Sequence, residues 1–163
     1  MYVPISRGAV TGLLFTHLKN ALANGPILVG RGIAPQGGGW VSGQPGVGQF
    51  VQYTVLKTGQ AITPPPGTPD TLGKRSFAWQ LTWTLAHHSD MESKADLVGD
   101  VVREALASLW PPNSGLEVDG RVWVCQGVLV PTLGPSQRDD STDPAHWSIT
   151  DGVSVVLSLA SRG

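Results

Sequence analysis

The chain has 163 residues and a mass of 17.1 kDa, which suits a single domain, residues 1–163, with a hydrophobic core of its own. Only 14% of the residues are charged, while 21 glycines and 13 prolines indicate many turns and long irregular connections. The net charge of -1 disfavours tight, sequence-independent binding of nucleic acid, which usually requires a basic patch.

The first predicted element is a helix over residues 7–24. Its apolar side chains recur at intervals of three and four residues, and Asn24-Gly25-Pro26 supplies a stop. The predicted buried face consists of Val10, Leu13, Leu14, His17, Leu18, Ala21 and Leu22. On such a face we expect His17 to be a buried imidazole bonded to a backbone carbonyl, not a ligand. The segment before the helix has no export signal pattern, so we expect a chain that is made in a cytoplasm and does not enter a membrane.

Two long connections rich in glycine and proline flank a strand predicted over residues 49–56. The first covers residues 30–48 and contains Trp40, which no helical or strand pattern would bury, so we expect an aromatic contact carried on a loop. The second covers residues 57–74, where Pro64-Pro65-Pro66 fixes an extended path, and is predicted to form the tip of a projecting hairpin. Loops of this length in a compact domain are usually functional or disordered.

A one-sided strand and an amphipathic helix follow each other over residues 75–109. The apolar side of the strand is expected to carry Phe77, Trp79, Leu81, Trp83 and Leu85, alternating with small and polar residues. The helix is predicted to begin at Ser89, since Ser89-Asp90-Met91-Glu92 has the form of a capping box, and to end at Trp110-Pro111-Pro112. Its predicted buried face consists of Val98, Val101, Val102, Ala105, Leu106 and Leu109.

Two more strands are predicted, over residues 121–130 and 147–159, with an irregular connection over 134–146. The lone cysteine, Cys125, excludes an internal disulfide and is expected to be a small buried group. The elements together predict an α+β fold. In it, a mostly antiparallel sheet of about four strands packs against two helices in the order α-β-β-α-β-β, with long Gly/Pro-rich loops.

The glycine-rich segments do not fit the known phosphate-binding patterns. Gly30-Arg31-Gly32 lacks the third glycine of a dinucleotide fingerprint, and Gly73-Lys74-Arg75 lacks the serine or threonine of a phosphate loop. Among the serines, Ser42 comes nearest to a hydrolase elbow, but its glycines have the wrong spacing. The sequence therefore predicts no catalytic residue and no cofactor.

Metal binding is considered at two places. The adjacent His87 and His88 near the end of a strand would point to opposite faces and could not easily chelate one ion. Asp139, Ser141 and Asp143 have the spacing of a calcium loop, but Pro144 replaces its glycine. We predict a solvated loop at the second place and no metal site at either.

Three segments together have the pattern of one known family. They are the first helix, the strand Trp79-Gln80-Leu81-Thr82-Trp83, and His87-His88-Ser89 leading into Val101-Val102-Arg103-Glu104-Ala105-Leu106. In these segments and in the order of its elements the chain resembles the tail terminator, or tail completion, proteins of long-tailed bacteriophages, especially those of actinobacteriophages. The resemblance covers most of the chain.

The resemblance implies a structural virion protein without catalytic activity. Its copies would form a ring, hexameric in such proteins, that stops polymerisation of the tail tube and joins the tail to the head connector. The implied partners are other copies of the chain, the tail tube protein and the connector or head-closure protein, with DNA passing through the lumen without tight binding. We expect the contacts at Trp40, Lys57, Lys74, Arg75, Arg138, Asp139 and Asp140.

Three alternatives remain open from the sequence. One is another neck or minor tail protein, such as a head-closure protein. Another is a small metal-dependent α+β enzyme, whose polar cluster would be His87, His88, Asp90 and Glu92. The third is a small-ligand binding module that uses Trp40 and the glycine-rich loop.

Overall fold

A computed structural model of the chain describes residues 3–41, 49–63, 65, 78–142 and 144–160. The helices are α1, Arg7–Ala21, and α2, Glu92–Ala107. The strands are β1, Leu28–Arg31; β2, Gly39–Trp40; β3, Phe50–Val51; β4, Tyr53–Ile62; β5, Ala78–Ser89; β6, Ser114–Val118; β7, Arg121–Asp139; and β8, His146–Leu159. Strands make up 50% of the structure and helices 23%.

Six of the strands form one curled mixed sheet, a half-barrel, in the order β1-β4-β5-β8-β7-β6. β1 pairs with β4 in parallel, and the other neighbours in this sheet are antiparallel. β2 and β3 form a separate antiparallel ribbon. The predicted sheet of about four antiparallel strands is therefore wrong in strand number and in the direction of one edge strand.

The missed strands are short or lie where turn residues dominate. β6 begins at Ser114 in a segment, Asn113-Ser114-Gly115, whose composition favours a turn, and β1 is only four residues long. β4 extends through Ile62, so the predicted loop over 57–74 is wrong for its first six residues. The structure does not describe 66–77, where the predicted hairpin tip and Phe77 lie.

β7 continues to Asp139, well past the end predicted at residue 130 and into the predicted loop over 134–146. Its prolines, Pro131 and Pro135, each fall inside a shift of register against β8. A strand tolerates proline at such bulges because no ladder hydrogen bond is lost there. The alternation of apolar residues ends before Pro131, whereas the strand continues to Asp139.

Gly134 lies at one of these bulges, where β7 comes very close to β8. A Cβ atom at this position would collide with the carbonyl oxygen of Thr150. We expect Gly134→Ala to lower the free energy of unfolding by about 1–3 kcal/mol in urea denaturation. The control is Gly8→Ala in α1, where nothing lies within 4 Å of the added Cβ. That variant should be neutral or stabilised by up to about 1 kcal/mol, and equal effects at both positions would contradict the close approach.

The second helix begins later than the capping box predicts. Ser89 is buried and is the last residue of β5, and the helix starts at Glu92 behind Met91, which makes no side-chain cap. Ser89 instead donates to Asp90 and accepts from Gln52. The capping box is therefore wrong, because the pairing of β5 with β8 continues to Ser89, four residues beyond Leu85, the last residue of the apolar alternation.

The main core lies between one face of the sheet and the two helices. β5 contributes Leu81, Trp83 and Leu85, each at most 1% exposed, so that part of the predicted apolar face is confirmed. The helices contribute Val10, Leu14, Leu18, Val98, Val102 and Leu106. His17 is bonded to the carbonyl of Ala105 as expected, but it is half-buried rather than buried. Leu13, Ala21 and Val101, which were predicted to lie inside, are exposed.

A second, smaller apolar cluster lies on the opposite face of the sheet. Thr54 and Leu56 of β4 face the helices, so the alternating Tyr53 and Val55 face away from them. Tyr53 and Val55 pack with Phe50, and Leu28 and Trp40 border the cluster. The β2–β3 ribbon therefore covers one end of the face that carries no helix.

Candidate functional site

The adjacent histidines of β5 lie on opposite faces of the sheet, as the strand period predicts. His87 is fully buried on the helix side, and His88 is partly buried on the other side. Each belongs to a separate polar cluster. Asp90 pairs instead with Lys94, at 3.7 Å, and Glu92 accepts a hydrogen bond from Ser136. The cluster of His87, His88, Asp90 and Glu92 considered from the sequence does not form.

The buried network on the helix side is centred on Asp151, which is 1% exposed. Its Oδ2 atom lies 2.9 Å from His87 Nε2 and accepts from Arg103 Nη1 at 2.6 Å. Thr54 Oγ1 lies 2.9 Å from the other ring nitrogen of His87. The network therefore joins three adjacent strands to α2.

These contacts hold Asp151 as a carboxylate. Burial works to raise its pKa, but hydrogen bonds and charge from His87 and Arg103 outweigh that effect and lower it below the usual value. The Arg103 guanidinium also bonds the exposed Asp100 at 2.6 Å, and these two carboxylates raise the pKa of Arg103 against the effect of burial. Both contacts use Oδ2 of Asp151, and its buried Oδ1 atom has no hydrogen-bond partner among the described residues. The mutual pairing of Asp151, His87 and Arg103 indicates a structural role for this network.

The cluster on the other face consists of His88, Asp139 and His146, one residue from each of β5, β7 and β8. His88 Nδ1 lies 2.9 Å from His146 Nε2, and Asp139 Oδ2 lies 3.2 Å from the same Nε2 atom. The separation of His88 Nδ1 from Asp139 Oδ2 is 3.9 Å. Within the described ranges, this is a group of histidine and carboxylate ligand atoms that could hold a metal ion.

Aromatic rings enclose the two histidines of this cluster. Tyr53 stacks on His88 with ring centroids 4.4 Å apart, and Phe50 lies 5.1 Å from His146. Trp40 contacts Phe50 edge to face and donates its indole N–H to the carbonyl of Pro144 at 3.2 Å. The ribbon thus packs against the cluster and against the start of β8.

The enclosure keeps both imidazoles neutral near pH 7. Burial, with the neighbouring His146 adding to it, lowers the pKa of His88 to about 4, and burial also lowers the pKa of His146. Burial would raise the pKa of Asp139, but hydrogen bonds from Ser141 and the nearby histidines lower it overall. The cluster therefore presents two neutral rings and one carboxylate.

The residues expected at interfaces lie partly at the histidine cluster and partly outside the described residues. Asp139 belongs to the cluster and Trp40 packs on Phe50 beside it, while the exposed Lys57 of β4 lines the same pocket as Tyr53 and His88. Arg138 and Asp140 form an exposed ion pair with the guanidinium Nε 3.1 Å from the carboxylate oxygen. Lys74 and Arg75 lie outside the described residues.

Sequence reasoning missed the cluster because its members are far apart in the chain. His88 and His146 are separated by 58 positions. One feature of the sequence could have indicated the cluster. Asp139 and His146 lie on either side of a short polar connection, and they pair with each other at the base of a hairpin. Recognising it requires knowing that the strand before this connection continues to Asp139.

Comparison with known proteins gives a fold but no family. No model of a known protein family matches the chain, and no curated protein matches it either. A solved structure whose name states no activity is similar over 98% of this chain and 100% of its own, with a TM-score of 0.51. Its sequence identity is 14%, so the likeness shows a shared fold alone. In the described part of the chain, neither helix has the length and apolar character needed to span a membrane.

Proposed function

We propose that the chain is a structural subunit that associates with copies of itself into a ring, in the manner of the phage tail terminators it resembles. The supporting observation is that, among the described residues, each of the two sides of the sheet has a stretch of strand edge with no strand paired to it. β1 pairs only with residues 53–56 of β4, and β6 pairs only with residues 121–125 of β7. No other strand among the described residues pairs with the remaining outer edges.

The uncovered part of β7 has the character of a contact surface. Leu129 and Leu133 are 62% and 61% exposed, although exposed strand edges in soluble proteins usually carry charge. Pro131 and Pro135 interrupt the edge, which limits continuous strand pairing of the kind that builds fibres. Such an edge favours a limited, side-chain contact with another subunit.

Two different edges on opposite sides of one sheet are what a head-to-tail contact requires. A head-to-tail contact joins unlike surfaces and closes into a ring when the rotation between subunits permits. The edge of β4 carries Lys57 and ends at Ile62. Within it, the carbonyl oxygen of Gly59 accepts a hydrogen bond from the Arg7 guanidinium of α1. We assign the contact to the free edge of β7 on one copy and that of β4 on the next.

In this proposal the ring caps the tail tube in the virion, stops its growth and joins it to the head connector. DNA would pass through the lumen, and the net charge of -1 suits a channel that does not grip it. Subunits would be made in the host bacterium and assembled there.

The proposed edge contact predicts that charge on β7 will break the assembly. We expect the purified chain to form a ring-sized oligomer, and the double variant Leu129→Glu, Leu133→Glu to be a monomer, in size-exclusion chromatography with light scattering. The matched control is Leu97→Glu, since Leu97 is also 61% exposed but belongs to α2 and not to β7. The control should assemble normally.

Two outcomes would overturn the assigned contact. One is a wild-type chain that stays monomeric at all accessible concentrations. The other is an oligomer that is the same size in the double variant and in the wild type. Another neck or minor tail protein remains the runner-up, and gene order beside the tube protein would separate it from a terminator.

A further inference from the structure

We propose that His88, Asp139 and His146 form a binding site for a divalent transition metal ion of the zinc type. The proposal does not depend on ring formation. It concerns the face of the sheet without helices, at the end where the β2–β3 ribbon packs, and it rests on the geometry of the three ligand atoms and of the groups that orient them.

The three ligand atoms have the spacing of one face of a coordination shell. Their separations are 2.9 Å, 3.2 Å and 3.9 Å. Two ligands of a tetrahedral zinc ion, each bonded at about 2.0–2.1 Å, lie roughly 3.3 Å apart. A zinc ion can therefore bond all three atoms after side-chain shifts of a few tenths of an ångström.

The ring of His146 is held in the form that a metal requires. Thr142 Oγ1 donates its hydrogen to the carbonyl of Pro144 and lies 2.9 Å from His146 Nδ1. Because that hydroxyl has a single hydrogen, it accepts from Nδ1–H of the ring. Nε2 of His146 therefore carries a lone pair that points at the cluster. Orientation of a ligand histidine through its other nitrogen is usual in metal sites.

The cluster without a cation lacks one hydrogen bond. His88 Nδ1–H can donate to His146 Nε2, but the carboxylate oxygen of Asp139 then lies 3.2 Å from a nitrogen lone pair with no hydrogen between them. Two electron-rich atoms at this distance repel each other in a partly desolvated site. A bound cation removes the repulsion because it accepts electron density from all three ligands.

The donor set and its exposure indicate the class of ion. Two imidazole nitrogens with one carboxylate suit zinc and similar transition metals better than magnesium or calcium. The side chain of His146 is 2% exposed and that of Asp139 is 27% exposed, so the site opens to solvent on the Asp139 side. Water can complete the coordination there.

The test is titration of the metal-free chain with Zn²⁺ by calorimetry and with Co²⁺ by visible absorption. We expect one ion per chain and a rise in melting temperature with Zn²⁺. Asp139→Asn should weaken binding at least about tenfold, and Thr142→Val by about 10–100-fold. The control His17→Gln removes a histidine outside the cluster and should bind like the wild type.

The proposal is wrong if the wild type takes up no stoichiometric Zn²⁺, or if Asp139→Asn binds as tightly as His17→Gln. Asp139 is partly exposed, so its variant is expected to fold, and circular dichroism would confirm this. A tetrahedral Co²⁺ spectrum that persists in His146→Asn would place the ion elsewhere on the chain and would also overturn the proposal.

Discussion

Asp151→Asn is expected to lower the free energy of unfolding by about 2–3 kcal/mol, because it removes the charge from a buried carboxylate that accepts two hydrogen bonds. Asp151 is 1% exposed and contacts both His87 and Arg103. Removing its charge leaves the exposed Asp100 as the ionic partner of the Arg103 guanidinium within the described part of the chain. Urea denaturation of the variant and the wild type measures the difference.

Asp100→Asn is the matched control for this prediction. It removes a carboxylate that bonds the same guanidinium at the same distance of 2.6 Å, but the Asp100 side chain is 66% exposed. Exposed ion pairs contribute at most about 1 kcal/mol, so the control should lose no more than that. Similar losses in the two variants would show that burial of Asp151 does not govern the effect.

The same network sets a dependence on pH. The pKa of Asp151 is lowered in the folded chain relative to its ordinary value of 3.8. The stability that its ionised form contributes is therefore fully present above about pH 5 and is lost as the pH falls through the folded pKa. The difference between the wild type and Asp151→Asn should shrink as the pH falls below about 4.

Trp83→Ala is expected to lower the free energy of unfolding by about 3–5 kcal/mol, which is the second large effect. The side chain is 1% exposed in the core between β5 and the helices, and its indole N–H donates to Thr11 of α1 at 2.8 Å. Trp83→Phe keeps most of the apolar volume and loses the hydrogen bond, so it should cost considerably less. Guanidinium denaturation followed by circular dichroism measures both. A loss below about 1 kcal/mol for Trp83→Ala would contradict the described core.

The sequence predicted elements well where one side of an element meets the core and the other does not. Leu81, Trp83 and Leu85 alternate with small and polar residues because the sheet face without helices is only partly covered there. The spacing of Val98, Val102 and Leu106 likewise follows from packing of α2 on the sheet. In both cases local periodicity reflects one-sided burial.

Prediction failed where tertiary contacts override local preference. Ser89 has a residue pattern suited to capping a helix, yet pairing across β5 and β8 keeps it in the strand. Pro131 and Pro135 suggest the end of a strand, yet bulges accommodate them. β1 and β6 carry too few residues for their own periodicity and form because a neighbouring strand offers hydrogen-bonding groups.

The histidine and carboxylate cluster depends on register, which no single segment encodes. His88, Asp139 and His146 meet because β5 and β7 both pair with β8 near its first residues. The sequence did show that His87 and His88 point to opposite faces, and that inference correctly separated them. The sequence alone could not predict that His88 contacts His146, because His146 lies on a different strand.

The most direct test of the proposed ring is electron microscopy of tail tubes grown from the tube protein of the same genome, with and without this chain. We predict that added chain gives tubes of limited length, each with a ring at one end. The double variant Leu129→Glu, Leu133→Glu should leave the tubes uncapped. Tubes of unchanged length with bare ends in the presence of wild-type chain would contradict the proposal.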